Sequence, residues 1–433
     1  MNKCKFIFSL SLLIVSAITT VSCTDADLCY DVEHPHRTDL KVTFSWDETT
    51  TPPDSMFIIA DRVFNSWKCG FKVDTKTGHG GYLFNGPKEN VPSPPSDTPT
   101  DSPADDTSDS DEQNNSDEAN SAPTINTTEN HNEVKEFKIL SGDYKFLAFN
   151  MDDTELDYSE VFNYMADTKN QIKLQEIYVS YKSYQKNDPA LRRPTDDWVD
   201  YNPYAQYIQA DMPAVYFDTI ESKKIIYKQP AECAFKPKPL TQDIDIIFKI
   251  QKEGGVKLAV DSVIAEIAGI PHKINLSNGF VDITKTYKML FKMNLENSNG
   301  TPIEEDNYTN KQIICKKNIN VTSIVKSSSS EMTVGPGILQ VMIFVTATTK
   351  SDDIGEEYKF QKKIQGKINL YNTIDKAGLI EITDDGTHAR RSKAHGTLNI
   401  KDLLKIDGRN IIENQNENKI DRWVNTSDII VDI

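Results

Sequence analysis

The chain of 433 residues has few cysteines and no long apolar run beyond its first part. Six cysteines in a chain of this size exclude a disulfide scaffold, which is typical of short secreted domains. No stretch after residue 22 approaches the roughly 18 apolar residues that a membrane-spanning helix needs. No Cys-x-x-Cys pair is present, so a structural zinc site is not indicated.

Positive charge is also scarce. The chain has 48 Lys and Arg against 65 Asp and Glu, a formal net charge of -17. Such a chain repels a phosphate backbone, so nucleic acid is excluded as an expected partner. The acidity is concentrated, because the segment from Glu89 to Glu133 holds 12 Asp or Glu and no Lys or Arg.

Catalytic motifs are missing as well. The sequence contains no G-x-S-x-G, no Walker A loop and no H-E-x-x-H. His34 and His36 lie close enough to share a metal, but packing of their rings against the first strand is the alternative that we favour. The polar loop 384–388 is a solvated connection or, alternatively, a ligand contact. We therefore expect no metal, no cofactor and no enzymatic activity.

The N-terminal segment has the pattern of an export signal. Lys3 and Lys5 precede the apolar run 6–17, and small residues then lead to Cys23. A Cys at this place resembles a bacterial lipobox, in which the Cys is acylated and becomes the mature N-terminus. The sequence predicts a lipoprotein signal peptide at 1–22, lipidation of Cys23 and a tether at 23–38; ordinary signal cleavage near Cys23 is the alternative.

The remaining cysteines leave a question open. Cys29, Cys69, Cys233 and Cys315 allow three disulfide connectivities in an exported chain, and the sequence does not choose among them.

Period-two alternation dominates the rest of the chain. Leu40, Val42, Phe44 and Trp46 alternate with polar residues, which indicates a half-buried strand. Similar segments recur up to 429–433, with a short helix expected near 400–405. The pattern predicts a mainly β protein of two tandem antiparallel β-sandwich domains. Their predicted limits are 39–227, with a disordered acidic insertion at 87–133, a proline-rich linker at 228–240, and 241–433.

Aromatic residues gather late in the first predicted domain. Trp198, Tyr201, Tyr204 and Tyr207 follow one another within a proline-containing segment. Aromatic rings stack on sugars and anchor protein partners, so these four are the candidate ligand-binding residues. The alternative is that they pack the junction between the two domains.

Three segments carry a resemblance to a known family. They are LCYDVEHPHRTDLKVTFSWD at 28–47, SGDYKFLAFN at 141–150 and SVIAEIAGIP at 262–271. With the export signal, they resemble a family of uncharacterised lipoproteins from Bacteroidetes. That family is in turn similar to the fimbrillin superfamily of pilus subunits and their membrane-anchored minor components.

The resemblance implies a transthyretin-like topology in both sandwiches and display on the outer membrane through a lipid anchor. It implies a non-catalytic fimbrial anchor, accessory subunit or adhesin, with fimbrial subunits or host and bacterial surface ligands as partners. Subunits of this class assemble by adding a strand to an open sheet edge, for which 429–433 is the candidate strand. A surface glycan-binding lipoprotein for nutrient capture is the alternative function.

Overall fold

The structure is a computed structural model. It describes residues 37–48, 50–63, 67–85, 137–167, 169–196, 198, 202, 204–255, 257–303, 307–350, 357–409 and 422–423. The predicted signal peptide, Cys23, residues 24–36, the acidic insertion and the terminal strand 429–433 lie outside the described residues. Those expectations stay predictions.

The first half of the described chain holds thirteen strands and one helix, α1 (Ser159–Ala166), with a 3-10 turn at Leu174–Glu176. The strands are β1 (Arg37–Phe44), β2 (Ser55–Arg62), β3 (Lys68–Asp74), β4 (Gly80–Asn85), β5 (Phe137–Leu140), β6 (Gly142–Phe149), β7 (Leu156–Asp157), β8 (Tyr178–Tyr181), β9 (Tyr184–Gln185), β10 (Gln206–Ile208), β11 (Tyr216–Ile225), β12 (Ala231–Phe235) and β13 (Lys238–Pro239).

The second half contains longer strands and one helix, α2 (Tyr371–Ala377). The strands are β14 (Gln242–Glu253), β15 (Lys257–Asn275), β16 (Phe280–Lys292), β17 (Asn294–Glu296), β18 (Gln312–Val321), β19 (Ile338–Lys350), β20 (Glu357–Asn369), β21 (Ile380–Ile382), β22 (His388–Arg391), β23 (His395–Asp407) and β24 (Arg422–Trp423).

The first sandwich consists of two sheets. Sheet A has the order β12-β1-β5, and sheet B has the order β13-β11-β6-β2-β3-β4. Alternate side chains of both sheets point into one shared core, as period-two burial requires. Its largest fully buried rings are Phe71, Phe137, Tyr144, Phe146 and Phe235.

The second sandwich is built in the same way. Sheet C runs β20-β19-β15-β16-β10-β9, with β7, β8, β21 and β22 paired at its sides, and sheet D runs β17-β18-β14-β23-β24. Alternate residues of β14 and β18 meet those of β15 and β19 in a common core. The predicted mainly β fold of two tandem sandwiches is confirmed. Most pairings are antiparallel, but β1–β12, β10–β16 and β14–β23 are parallel.

The two sandwiches share apolar contacts. The face of sheet B that turns away from sheet A carries Phe57, Ile59, Leu147 and Phe149, and these side chains belong to the same buried cluster as the second core. Helix α1 joins this cluster through Val161, Tyr164 and Met165, among others. Sheet B is therefore buried on both faces, and hydrophobic burial holds the two sandwiches against each other.

Strand pairing differs from the predicted division of the chain in two places. β8 and β10 lie within the predicted first domain, yet β8 pairs with β15 and β10 pairs with β16 of sheet C. The predicted linker 228–240 contains β12 in sheet A and β13 in sheet B. The prolines punctuate this segment, but Cys233 and Phe235 are buried on alternate positions, which is the burial pattern of a strand.

The short helix expected near 400–405 is wrong, because these residues belong to β23. The pairing with β14 shifts between Ile247 and Lys249, where the facing partners move from Asn399 to Leu403. This irregularity adds residues to β23 only. The buried residues Leu398, Ile400, Leu404 and Ile406 all lie at even positions, so they share one face of the strand. The four-residue spacing of Ile400 and Leu404 fits a strand as well as a helix.

The described cysteines are all buried. Cys233 lies in the first core and Cys315 in the second, and both are free thiols. Burial raises the pKa of the Cys233 thiol to about 12, and it also raises the pKa of the Cys69 and Cys315 thiols.

Candidate functional site

A cleft of about 540 Å³ opens on the outer face of sheet C. One wall is formed by Asn202 and residues 204–206, at the start of β10, and the other by the loop 333–337, which leads into β19. Two large side chains stand at the rim, where the Tyr204 ring is 85% exposed and Val334 is 60% exposed. An exposed aromatic ring can stack on a ring-shaped or apolar group of a ligand.

The floor of the cleft is a row of polar side chains across neighbouring strands. Lys367 of β20 is opposite Gln340 of β19, and Gln340 is opposite Glu266 of β15. Lys288 of β16 is opposite both Ala268 of β15 and Tyr207 of β10. Residues directly opposite one another project from the same sheet face, so the row presents amide, carboxylate and ammonium groups to the cleft.

Gly269 shapes the wall formed by the loop 333–337. It has a φ of +104°, and a Cβ there would lie 2.7 Å from the Val325 carbonyl oxygen and 2.8 Å from the Gly337 nitrogen. The loop docks on β15 because the N–H of Gly337 donates to the Ala268 carbonyl at 2.8 Å. A side chain at position 269 would push this loop outward.

Glu266 is the best-connected group in the cleft floor. Its side chain is 3% exposed, its Oε2 accepts hydrogen bonds from Trp198 Nε1 at 2.8 Å and Tyr207 OH at 2.7 Å, and its Oε1 lies 2.9 Å from Lys288 Nζ. A buried carboxylate is tolerated when it is paired and hydrogen-bonded, and these three donors meet that requirement.

The structure separates the four predicted ligand-binding residues. Trp198 is 1% exposed and Tyr207 is fully buried, and both pack against sheet C with Leu290 and Met342 among other apolar side chains. Because both rings are buried in this way, neither presents a face to a ligand. Tyr204 presents its ring to solvent, and Tyr201 lies outside the described residues.

The cleft is basic although the protein is acidic. Lys285, Lys288 and Lys367 line it together with Glu266, whose charge is compensated by Lys288. Lys285 is exposed, and its ammonium lies 5.1 Å from the centre of the Tyr287 ring. The net positive charge favours an anionic or hydroxyl-rich ligand over a cationic one.

Sequence reasoning missed the floor residues. One feature could have found Glu266, since a lone carboxylate within the apolar run SVIAEIAGIP must have partners if the run is buried. Two of its partners, Tyr207 and Trp198, precede it in the sequence by 59 and 68 residues, and no local pattern connects them to it.

The loop 384–388 is a turn held by its own hydrogen bonds. Asp385 accepts from the Thr387 N–H at 2.8 Å and the Thr383 hydroxyl at 2.7 Å, and its Oδ2 lies 3.0 Å from His388 Nδ1. These donors hold the pKa of the Asp385 carboxyl well below its usual range. Within the described residues no group of His, Cys, Asp or Glu is arranged to hold a metal ion. His34 and His36 lie outside them.

The fold and the cleft together define a two-sandwich β protein with a polar cleft on one outer face. None of the helices in the described part of the chain is long and apolar enough to cross a membrane. No family model matches the chain. No curated protein matches it either.

Several solved structures are similar to this one over most of their length. A proposed adhesin from Bacteroides ovatus has a TM-score of 0.39 at 10% identity, covering 89% of this chain and 96% of that one. Proposed polysaccharide-binding proteins from Bacteroides thetaiotaomicron give a TM-score of 0.35 at 10% identity, with coverage of 86% and 92%. The fimbrial anchor protein Mfa2 from Porphyromonas gingivalis gives 0.31 at 8% identity, with coverage of 81% and 94%.

Proposed function

We propose that this protein is a non-catalytic cell-surface lipoprotein that serves as a fimbrial anchor, accessory subunit or adhesin. The observation that carries the proposal is the position of Cys23. The first strand begins at Arg37, so residues 24–36 alone would join an acylated Cys23 to sheet A. Fully extended, they reach about 45 Å, which would keep the first sandwich close to the membrane.

The packing of the two sandwiches supports this role. Because sheet B is buried on both faces, the second sandwich is held against the first by apolar contacts instead of swinging on a flexible linker. A body held in this way would present the second sandwich at a defined position relative to the anchor. The similar structures include adhesins and a fimbrial anchor, in agreement with the proposal. The proposal itself rests on the features of this chain.

The first test concerns the anchor. Cells carrying the wild-type chain should incorporate radioactive palmitate into it and retain it in the outer-membrane fraction, and Cys23→Ala should abolish both. Cys29→Ala is the matched control and should keep the label. Palmitate incorporation by Cys23→Ala would contradict lipidation at this residue.

The second test concerns the role at the surface. A deletion strain should show altered pilus length or reduced attachment, restored by the wild-type chain but not by Cys23→Ala. Unchanged pili together with unchanged attachment would argue against both the anchor and the adhesin roles.

A glycan-binding lipoprotein is the second candidate function, and the cleft beside Tyr204 favours it. The rim ring is available for stacking, and the amide and ammonium groups of the floor are suited to sugar hydroxyls and carboxylates. On a glycan array, saturable binding should be lost in Tyr204→Ala. Retention of all binding by Tyr204→Ala, or an array without signal, would remove this candidate.

A further inference from the structure

The outer face of β20 carries a regular row of lysines. Lys359, Lys363 and Lys367 occur at every fourth residue, while Ile364 and Ile368 on the opposite face are 3% and 1% exposed in the core. Positions of equal parity share one face of a strand, so the three ammonium groups project from the same side at intervals of about 13 Å. Lys359 is exposed, and Lys363 and Lys367 are half-buried.

This row leads directly into the cleft. Lys367 is both the last lysine of the row and a lining residue of the cleft, where it is opposite Gln340. On the other side of the cleft floor, Lys285 of β16 adds a positive charge, while Lys288 compensates Glu266. The row and the cleft therefore meet at Lys367 and together form a surface of net positive charge, which we call the lysine track.

Protection of a sheet edge explains only part of this arrangement. β20 is an edge strand in the described sheet, and lysines on edge strands discourage pairing with other chains. Lys288, however, lies where β16 is paired on both sides, with Ala268 of β15 and Tyr207 of β10. A need to block an edge does not place a lysine there, nor an exposed tyrosine at the rim of the cleft.

The positive charge of the lysine track contrasts with the acidic charge of the whole chain. At a formal net charge of -17 the protein repels polyanions in general, so a basic track concentrates attraction at one surface. A ligand that uses the full track must be long, must carry negative charges at intervals and must offer a ring or apolar face to Tyr204. Extended chains of acidic sugars have all three properties.

We propose that the lysine track binds an acidic polysaccharide, with carboxylates against Lys359, Lys363 and Lys367 and a sugar ring against Tyr204. This inference rests on the glycan-binding candidate above and specifies its ligand class. Each ammonium–carboxylate contact is exposed to solvent, so affinity should come from several weak contacts acting together and should fall with added salt.

The test is titration of the purified protein with oligogalacturonate, with neutral dextran oligomers of similar length and with polyglutamate. Wild type should bind oligogalacturonate saturably and dextran at least about tenfold more weakly. The variant Lys359→Gln/Lys363→Gln/Lys367→Gln should bind oligogalacturonate about tenfold or more weakly, because it removes three ammonium–carboxylate contacts of modest strength. Tyr204→Ala should weaken oligogalacturonate but leave polyglutamate unchanged.

A matched control removes the same charge elsewhere. Lys224→Gln/Lys236→Gln/Lys238→Gln changes three exposed lysines of the first sandwich and should bind as wild type does. If the Gln variant of the track loses its thermal transition, Lys359→Arg/Lys363→Arg/Lys367→Arg replaces it and should retain binding. Equal losses in the track and control variants would overturn the proposal, because they would reflect net charge alone.

Other outcomes separate this inference from the functions proposed above. The acidic-polysaccharide site is overturned if oligogalacturonate shows no saturable binding. It is also overturned if polyglutamate binds as tightly as oligogalacturonate and Tyr204→Ala weakens neither. Tyr204-dependent binding of neutral sugars alone keeps the glycan-binding candidate and overturns the acidic class. If oligogalacturonate binds as expected but the deletion strain keeps its pili and attachment, the anchor and adhesin roles fail while the track stands.

Discussion

The indole N–H of Trp198 donates a 2.8 Å hydrogen bond to the carboxylate of Glu266. This bond fastens the segment before β10 onto the outer face of β15, and Tyr207 donates to the same carboxylate oxygen at 2.7 Å. The aromatic residues nearest to the cleft therefore act in two ways. Trp198 and Tyr207 hold the floor in place, and Tyr204 is exposed at the rim.

Replacing Glu266 should destabilise the fold. In Glu266→Gln the amide N–H₂ would face the Lys288 ammonium, which lies 2.9 Å from the carboxylate in the native protein. We expect the free energy of unfolding, measured by urea denaturation, to fall by about 2 to 4 kcal/mol. Glu266→Gln/Lys288→Met should recover at least about 1 kcal/mol of this loss, because it removes the ammonium left without its partner.

An exposed ion pair offers the control for that experiment. Glu253 lies 2.9 Å from Lys405 Nζ, and both side chains are partly exposed to solvent. Glu253→Gln should therefore lower the free energy of unfolding by less than about 1 kcal/mol. Equal losses for Glu266→Gln and Glu253→Gln would show that the buried network adds no stability.

Gly269→Ala should open the wall of the cleft. The φ of +104° and the 2.7 Å approach to the Val325 oxygen leave no space for a Cβ. We therefore expect the free energy of unfolding, measured by urea denaturation, to fall by about 3 kcal/mol. Gly255→Ala is the matched control, since it has a φ of +66° and no atom within 4 Å of the new Cβ. It should cost about 1 kcal/mol. Similar losses for both variants would mean that the loop 333–337 adapts without cost.

Cys233 and Cys315 should resist alkylation in the native protein. Both thiols are free and buried, and burial raises the pKa of each, so the reactive thiolate is scarce at about pH 8. Iodoacetamide labelling followed by peptide mass spectrometry should detect modification of these residues only after denaturation in guanidinium chloride. Rapid labelling of the native protein, or a disulfide between the two, would contradict their placement in separate cores.

Lys252 should make stability depend on pH. Burial lowers the pKa of its ammonium to about 8 from the usual 10.5, although Nζ donates to the Leu258 carbonyl at 2.8 Å and the Asn307 carbonyl at 2.6 Å. Between these two values the unfolded chain binds more protons at Lys252 than the folded protein does. The free energy of unfolding of wild type should therefore rise with pH in this window relative to Lys252→Met.

Comparing wild type with Lys252→Met removes the effect of the buried thiols, which titrate in the same window and are present in both proteins. A lower pH offers the control, since below about pH 7 Lys252 is protonated in both the folded and the unfolded protein, and the difference between wild type and Lys252→Met should not change with pH there. A pH-independent difference between wild type and Lys252→Met would contradict the lowered pKa.

Much of the strand content could be predicted because alternation is a local property. β1 lies where it was predicted, since Leu40, Val42 and Phe44 alternate with polar residues through it. The same alternation is seen in β14, where Ile244, Ile246, Phe248 and Ile250 are buried. The helix α1 was missed because only Val161, Tyr164 and Met165 are buried in its short span. At 400–405 the helix prediction was wrong because apolar residues four positions apart fit both a strand and a helix, and the pairing with β14 decided for a strand.

The site was harder to predict than the fold. The cluster of aromatic residues around Trp198 was visible, but which ring would be buried and which exposed depends on what each one packs against. Glu266, Gln340 and Lys367 come from three strands and become neighbours through sheet register alone. The lysines at positions 359, 363 and 367 can be read from the sequence, whereas their continuity with the cleft cannot.

The sequence by itself determined the mainly β character and the two tandem sandwiches, because strand periodicity is written in the order of apolar and polar residues. It also supports, as predictions, an export signal ending before Cys23 and an acidic insertion at 87–133. The tertiary structure alone decided that β8 and β10 pair with sheet C, that sheet B is covered on both faces, and that Tyr204 stands at the rim of a basic cleft. The reason is physical, since contacts between residues distant in the chain arise from the combined burial of many side chains and leave no local pattern in the sequence.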